Sequence, residues 1–137
     1  MAFNIRQIFK ALADAQVEYV VVGGFQVIMY GHLRATADLD LVIGLDGDNC
    51  RRGLDALHSI GFRLRLPVAM SDFADPDKRA DWIENRNMLV FQLRDPGNAE
   101  RSVDIFVREP FDFGLMRSEA VTKNLDGVTI PWLPSAT

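Results

Sequence analysis

Tyr19-Val-Val-Val-Gly-Gly-Phe-Gln-Val-Ile-Met-Tyr-Gly-His-Leu-Arg-Ala-Thr-Ala-Asp-Leu-Asp-Leu-Val-Ile43 is the stretch on which the fold turns. Its apolar run predicts a short strand over 18–23, buried on both faces. Gly23 and Gly24 end that run in a tight turn, a helix over about 25–32 follows to Gly31, and a second strand spans 38–44, closed by Gly44 and the Asp46-Gly47 turn. The second strand carries Asp38 and Asp40. Side chains two apart on a strand share one face, roughly 7 Å apart at Cα. Aspartate is disfavoured inside strands, and like charges on one face repel unless a cation lies between them. The pair therefore predicts a shared metal ion. The plainer alternative is that one acid caps the preceding turn and the other is solvated.

The glycine turn has two readings of its own. It can open a helix, offering bare backbone amides and a partial positive charge to a phosphate. It can also serve only the dihedral angles of a strand-to-helix turn. Neither a Gly-x-x-x-x-Gly-Lys loop nor a Gly-x-Gly-x-x-Gly fingerprint is present. Arg34 and Thr36 lie just before the acids, where the guanidinium can meet phosphate oxygens or pair with an aspartate. Acids, glycines and arginine together describe a metal-assisted site for a nucleoside triphosphate.

Working outward, Phe3, Ile5, Ile8, Phe9 and Leu12 predict a helix over 3–16, with Asn4 near its start. Asp48 is a candidate cap for a helix over 49–60, with apolar stripe Leu54, Leu57 and Ile60 and with Gly61 at its C-terminal end. Residues 62–66 read as a strand. The polar segment 67–86, which holds Pro67 and Pro76, reads as a loop plus a short helix near 78–85. A strand over 88–94, a turn at 95–98 and a hairpin partner over 102–107 follow, and the tail holds one more hairpin turning at Asp126-Gly127. Strands interleaved with helices and finishing in antiparallel pairs predict an α/β or α+β sheet with helices packed on it, in a single domain over 1–137.

Asp104 interrupts Ser102-Val-Asp-Ile-Phe-Val107, where Val103, Ile105 and Val107 take the opposite face. It is a candidate third acid, provided its strand lies beside 38–44; the alternative is a partner for an arginine such as Arg94 across the hairpin. Three carboxylates are hard oxygen ligands suited to Mg²⁺ bound jointly with triphosphate oxygens. In a two-ion scheme for in-line displacement, Asp38 and Asp40 hold the metals, while Asp104 helps bind one and accepts the proton of an attacking hydroxyl.

Composition narrows the class. The chain has 137 residues, a net charge of −4 and 48% hydrophobic residues, so it can bury a core and has no basic excess of the kind a general nucleic-acid binder carries. A local basic groove around Arg51, Arg52, Arg63 and Arg65 competes with the simpler reading of a solvated face. Cys50 stands alone, which excludes an internal disulfide and a cysteine zinc cluster. No window reaches the ~20 apolar residues of a membrane helix, and the N-terminus lacks a signal-peptide layout, so no membrane partner and a cytoplasmic location are expected. His32 and His58 have no second histidine at a useful spacing, and Trp82 and Trp132 read as packing residues.

The composite of Gly23-Gly24, Gly31-His32-x-Arg34-x-Thr36-x-Asp38-x-Asp40 and Val103-Asp104-Ile105 resembles the nucleotidyltransferase superfamily that includes DNA polymerase beta. It is most similar to the minimal, abortive-infection (AbiEii/AbiGii-type) members, which often occur in toxin–antitoxin pairs. The resemblance spans 17–107. It implies a mixed sheet flanked by helices, Mg²⁺ dependence, and transfer of a nucleoside monophosphate from an NTP to an acceptor hydroxyl on a tRNA end or a partner protein. It also implies a cognate toxin or antitoxin partner. By position, Asp38, Asp40 and Asp104 match the metal-binding acids, and Gly23 and Gly24 match the phosphate-contacting turn. Two departures stand out: Gly24 replaces a common serine, and the usual C-terminal helix with its lysine does not follow Val128-Thr-Ile-Pro-Trp-Leu-Pro-Ser-Ala-Thr137. A non-catalytic binding or regulatory subunit, and a hydrolase or other phosphotransferase using the same metals, are the competing expectations.

Overall fold

Asp38–Ile43 forms β2, the middle strand of a seven-stranded mixed sheet. The structure is a computed structural model and describes residues 5–22, 38–64, 69–95, 98–109, 112–125 and 127–133. Around β2 are arranged α1 (Ile5–Asp14), β1 (Tyr19–Val22), α2 (Gly47–Ser59), β3 (Arg63–Leu64), a 3-10 turn (Met70–Ala74), α3 (Pro76–Arg86), β4 (Val90–Asp95), β5 (Asn98–Phe106), α4 (Phe113–Glu119), β6 (Val121–Leu125) and β7 (Val128–Leu133). The strand order is β3-β4-β5-β2-β1-β7-β6. β2 runs parallel to β5 and antiparallel to β1, and β1 runs parallel to β7. The pairs β3/β4, β4/β5 and β6/β7 are antiparallel. The expected fold, a mixed sheet flanked by helices, is the one found.

Strand alternation divides the sheet into two unequal faces. Leu39, Leu41 and Ile43 of β2 join Tyr19, Val21, Val103, Ile105, Phe91 and Leu93 in the main core, against Ile8, Phe9 and Leu12 of α1 and Leu54 and Leu57 of α2. Each such side chain contributes roughly 1.5–3 kcal/mol on burial, so this face supplies most of the stability. Phe91 anchors its far side, with ring centroids 4.9 Å from Phe73 and 5.3 Å from Trp82. Trp82 is thus a packing residue, as expected. The opposite face has a smaller cluster, Val20, Val42 and Met116, with Val22, Phe106, Phe113 and Leu133 packed against it. There α4 is tied to the sheet by Arg117, whose Nη1 donates to the Tyr19 carbonyl at 2.8 Å.

Asn49 links the two central strands to α2. Its Nδ2 donates to the carbonyls of Glu18 (2.9 Å) and Gly44 (2.8 Å), and its Oδ1 accepts from the Glu18 amide at 2.8 Å. The side chain is buried and fully engaged in holding the start of β1 beside the end of β2.

Several local expectations need correction. The cap of α2 is Asp46, whose Oδ1 accepts from the Asp48 amide at 3.0 Å; Asp48 sits in the first turn and pairs with Arg51. The earlier aspartate is the cap because it directly precedes the first helical residue, Gly47, from where its side chain reaches the amide of the second. Pro76 starts α3 rather than breaking a helix, since an N-terminal position has no amide to lose, and Asp75 caps it through the Asp77 amide at 2.9 Å. The helix consequently starts two residues before the expected 78–85 and ends one residue after it. α4 was not foreseen; it is capped by Asp112, which accepts from the Gly114 amide at 2.9 Å. β5 begins at Asn98, so the 95–98 turn tightens to a hairpin with Asp95 paired to Asn98. The tail hairpin is present where expected, with Leu125 paired to Val128 and Gly127 at φ 88°. The expected helix over 25–32 lies outside the described residues, as do 65–66 of the expected 62–66 strand.

Candidate functional site

Asp40 is paired with Asp104 across β2 and β5. The same register continues on both sides: Val22 of β1 stands opposite Asp40, and Gln92 of β4 stands opposite Asp104. Four neighbouring strands thus contribute one row, Val22–Asp40–Asp104–Gln92, with successive Cα atoms about 5 Å apart. Each acid is flanked along its own strand by core residues: Leu39 and Leu41 beside Asp40, and Val103 and Ile105 beside Asp104, none more than 1% exposed. Alternation therefore turns both acids to the opposite face, the one only partly covered by α4. Both are half-buried, and Oδ1 of Asp104 is sealed from solvent.

Asp38 opens β2 and is paired with Ser102, one row away. Its side chain lies outside the described residues, as do Gly23, Gly24, His32, Arg34 and Thr36 in full. β1 ends at Val22, in the acid row itself. Among the described side chains there is no group of three or more His, Cys, Asp or Glu that could hold a metal ion. Asp40 and Asp104 are the two members of the expected set whose side chains are described.

The neighbours of the acids were only partly foreseen. Arg94, the alternative partner weighed for Asp104, stands across from Ser102 in the strand register, and its Nε donates to Oε1 of Gln92 at 3.4 Å. Gln92 is the residue facing Asp104. No cue in the sequence singles it out, because a glutamine in a strand carries no motif. Arg51, Arg52 and Arg63 are exposed, as the solvated-face reading of these arginines has it. Arg51 pairs with Asp48, Arg52 donates to Oδ1 of Asn49 at 3.3 Å, and Arg65 lies outside the described residues. Arg63, the first residue of β3, stands directly across from Arg94.

Cys50 is inert by burial. Desolvation pushes its thiol from the ordinary value near 9 up to about 11, with Asp46 adding to the shift and Arg79 and Arg51 opposing it. Desolvation also raises the Tyr19 hydroxyl, against the pull of Arg117. Both groups belong to the main core and neither belongs to the acid row. No described helix is long and apolar enough to cross a membrane.

Comparison with protein-family models, with curated proteins and with solved structures finds no match to this chain.

Proposed function

We propose that the chain is a magnesium-dependent nucleotidyltransferase, moving a nucleoside monophosphate from an NTP to an acceptor hydroxyl with pyrophosphate leaving. One observation carries this reading: Asp40 and Asp104, 64 positions apart in sequence, are direct cross-strand partners on a sheet face, beside the end of the strand that leads into Gly23-Gly24. Two carboxylates brought side by side on neighbouring strands offer paired oxygen ligands to a cation. Carboxylate oxygens in a partly desolvated setting fit Mg²⁺, so Asp40 and Asp104, with Asp38 two residues along the strand, are the residues that would hold it. When bound, the ion would polarise phosphate oxygens and offset their charge.

The roles of the chain's own groups follow. Asp40 is assigned to hold the cation, its carboxylate oriented by its place in a central strand. Asp104 is assigned the proton of the attacking hydroxyl, because one of its oxygens is shielded from water while the residue as a whole is half-exposed. Gly23 and Gly24 are assigned to the phosphates, with Arg34 and Thr36 beside them. The acceptor is a tRNA end or a partner-protein hydroxyl, in the cytoplasm and in the setting of a toxin–antitoxin pair.

The test is incubation with radiolabelled NTPs, Mg²⁺ and a cell extract, followed by separation of RNA, protein and small molecules. Label should enter one acceptor class and disappear with Asp40→Asn and with Asp104→Asn while both variants stay folded. Label that persists in both variants refutes the assignment. Absence of any transfer by the wild type would leave a non-catalytic subunit as the better description.

A further inference from the structure

We infer that Gln92 orients the acceptor hydroxyl, donating to its oxygen while Asp104 takes its proton. The inference rests on the nucleotidyltransferase reading and adds to it a neutral residue outside the set of acids.

Gln92 stands directly opposite Asp104 on the antiparallel neighbour β4, about 5 Å away at Cα. Phe91 and Leu93, on either side of it, are fully buried in the main core. Alternation therefore turns Gln92 to the face that carries Asp104 and Asp40. One end of its amide is engaged: Oε1 accepts from Nε of Arg94, two residues along on the same face, at 3.4 Å. The other end is Nε2, with two N–H donors. Among the described residues Nε2 has no protein partner, although the residue is half-buried. The next pair on this face is Val90 and Phe106, apolar and half-buried, which shields one flank of the amide from water. A donor in such a setting counts for more than one in bulk solvent.

A hydroxyl group has one proton to give and two lone pairs. Between Asp104 and Gln92 each of the three has a place. The carboxylate takes the proton, and the amide N–H donates to one lone pair. The other lone pair forms the bond to the α-phosphorus of the NTP as the bond to pyrophosphate breaks. Gln92 loses no proton in this step. Its contribution is to hold the attacking atom in line, and a neutral amide does so without a charge that would pair with the acids.

Cell RNA and cell protein are titrated as separate acceptors at saturating labelled NTP and Mg²⁺, with wild type, Gln92→Met and Gln92→Glu. In the fraction that takes label, both variants should transfer about tenfold more slowly at low acceptor concentration, the loss expected for one hydrogen bond. The NTP concentration giving half the maximal rate should not change. Glutamate separates a donor from a brace, because it keeps an oxygen for Arg94 and has no N–H to give. Gln92→Asn, with its amide one carbon short, should recover part of the loss. Thermal melting checks folding, and the asparagine and glutamate variants carry the test if Gln92→Met does not fold. Wild-type rates in Gln92→Glu would reduce the residue to a support for Arg94 and overturn the inference. A loss traced to weaker NTP saturation alone would overturn it as well. These outcomes leave the enzyme reading intact, whereas wild type that labels neither fraction removes that reading and this inference together.

Discussion

Asp40 and Asp104 face each other across parallel strands, each locked by core leucines, valines or isoleucines on either side along its own chain. Neither strand can slip by one residue without burying a carboxylate and exposing that apolar set, so the register of the acids is enforced by the core. If the pair holds magnesium, millimolar Mg²⁺ should raise the melting temperature of wild type, because a ligand bound only to the native state stabilises it. Asp40→Asn and Asp104→Asn should abolish that rise. Scanning calorimetry with and without the ion decides it; an equal rise in all three proteins contradicts the site.

Asn49 should be among the most sensitive positions outside the large apolar residues. Asn49→Ala removes bonds to the amide and carbonyl of Glu18 and to the carbonyl of Gly44 in a buried setting. Leaving such groups unsatisfied costs about 3 kcal/mol in all. Urea unfolding should show this as a lowered midpoint with little change in slope.

Gly44 lies where the two faces meet. A Cβ there would stand 3.2 Å from Nδ2 of Asn49 and 3.2 Å from Cε2 of Phe113. Asn49 is pinned by three bonds to the backbone and one from Arg52, so Gly44→Ala should destabilise by about 1–2 kcal/mol, as overpacking does. Phe113→Leu in the same chain should restore part of the loss, measured as a non-additive double-mutant cycle.

Cys50 gives an alkaline signature. Its folded-state thiol ionises near pH 11 against an ordinary value near 9. Between those values the unfolded chain has lost the proton and the native state has kept it. Stability should therefore fall as pH rises through this window, by up to ~1.4 kcal/mol per pH unit. The Cys50→Ala variant should lack this component of the slope, and a thiol reagent at pH 8 should label wild type only as fast as it unfolds.

Local pattern was sufficient for much of this molecule. The apolar run at 19–22, the alternation around Asp40 and Asp104, and the Asp126-Gly127 turn each follow from side-chain periodicity and turn chemistry within a few residues, and the strands stand where those cues put them. Sequence pattern and structure part where two local signals compete. Asp46 and Asp48 are both good caps, and Pro76 reads as a breaker until its place at the first turn of a helix is known. For α4, Asp112 was a usable cue, but seven residues with one buried side chain make too short a period to recognise.

Neighbours across the sheet belong to a different order of information. Periodicity tells which face a residue takes but not which strand lies alongside, because pairing is set by how the whole core packs. That Asp104 meets Asp40, that Gln92 rather than Arg94 faces Asp104, and that Arg63 stands against Arg94 were therefore decided by the strand order β3-β4-β5-β2. The acids themselves could be picked out of the chain because charge inside a strand is locally costly; their meeting is a consequence of burying Leu39, Leu41, Val103 and Ile105 together on the other side.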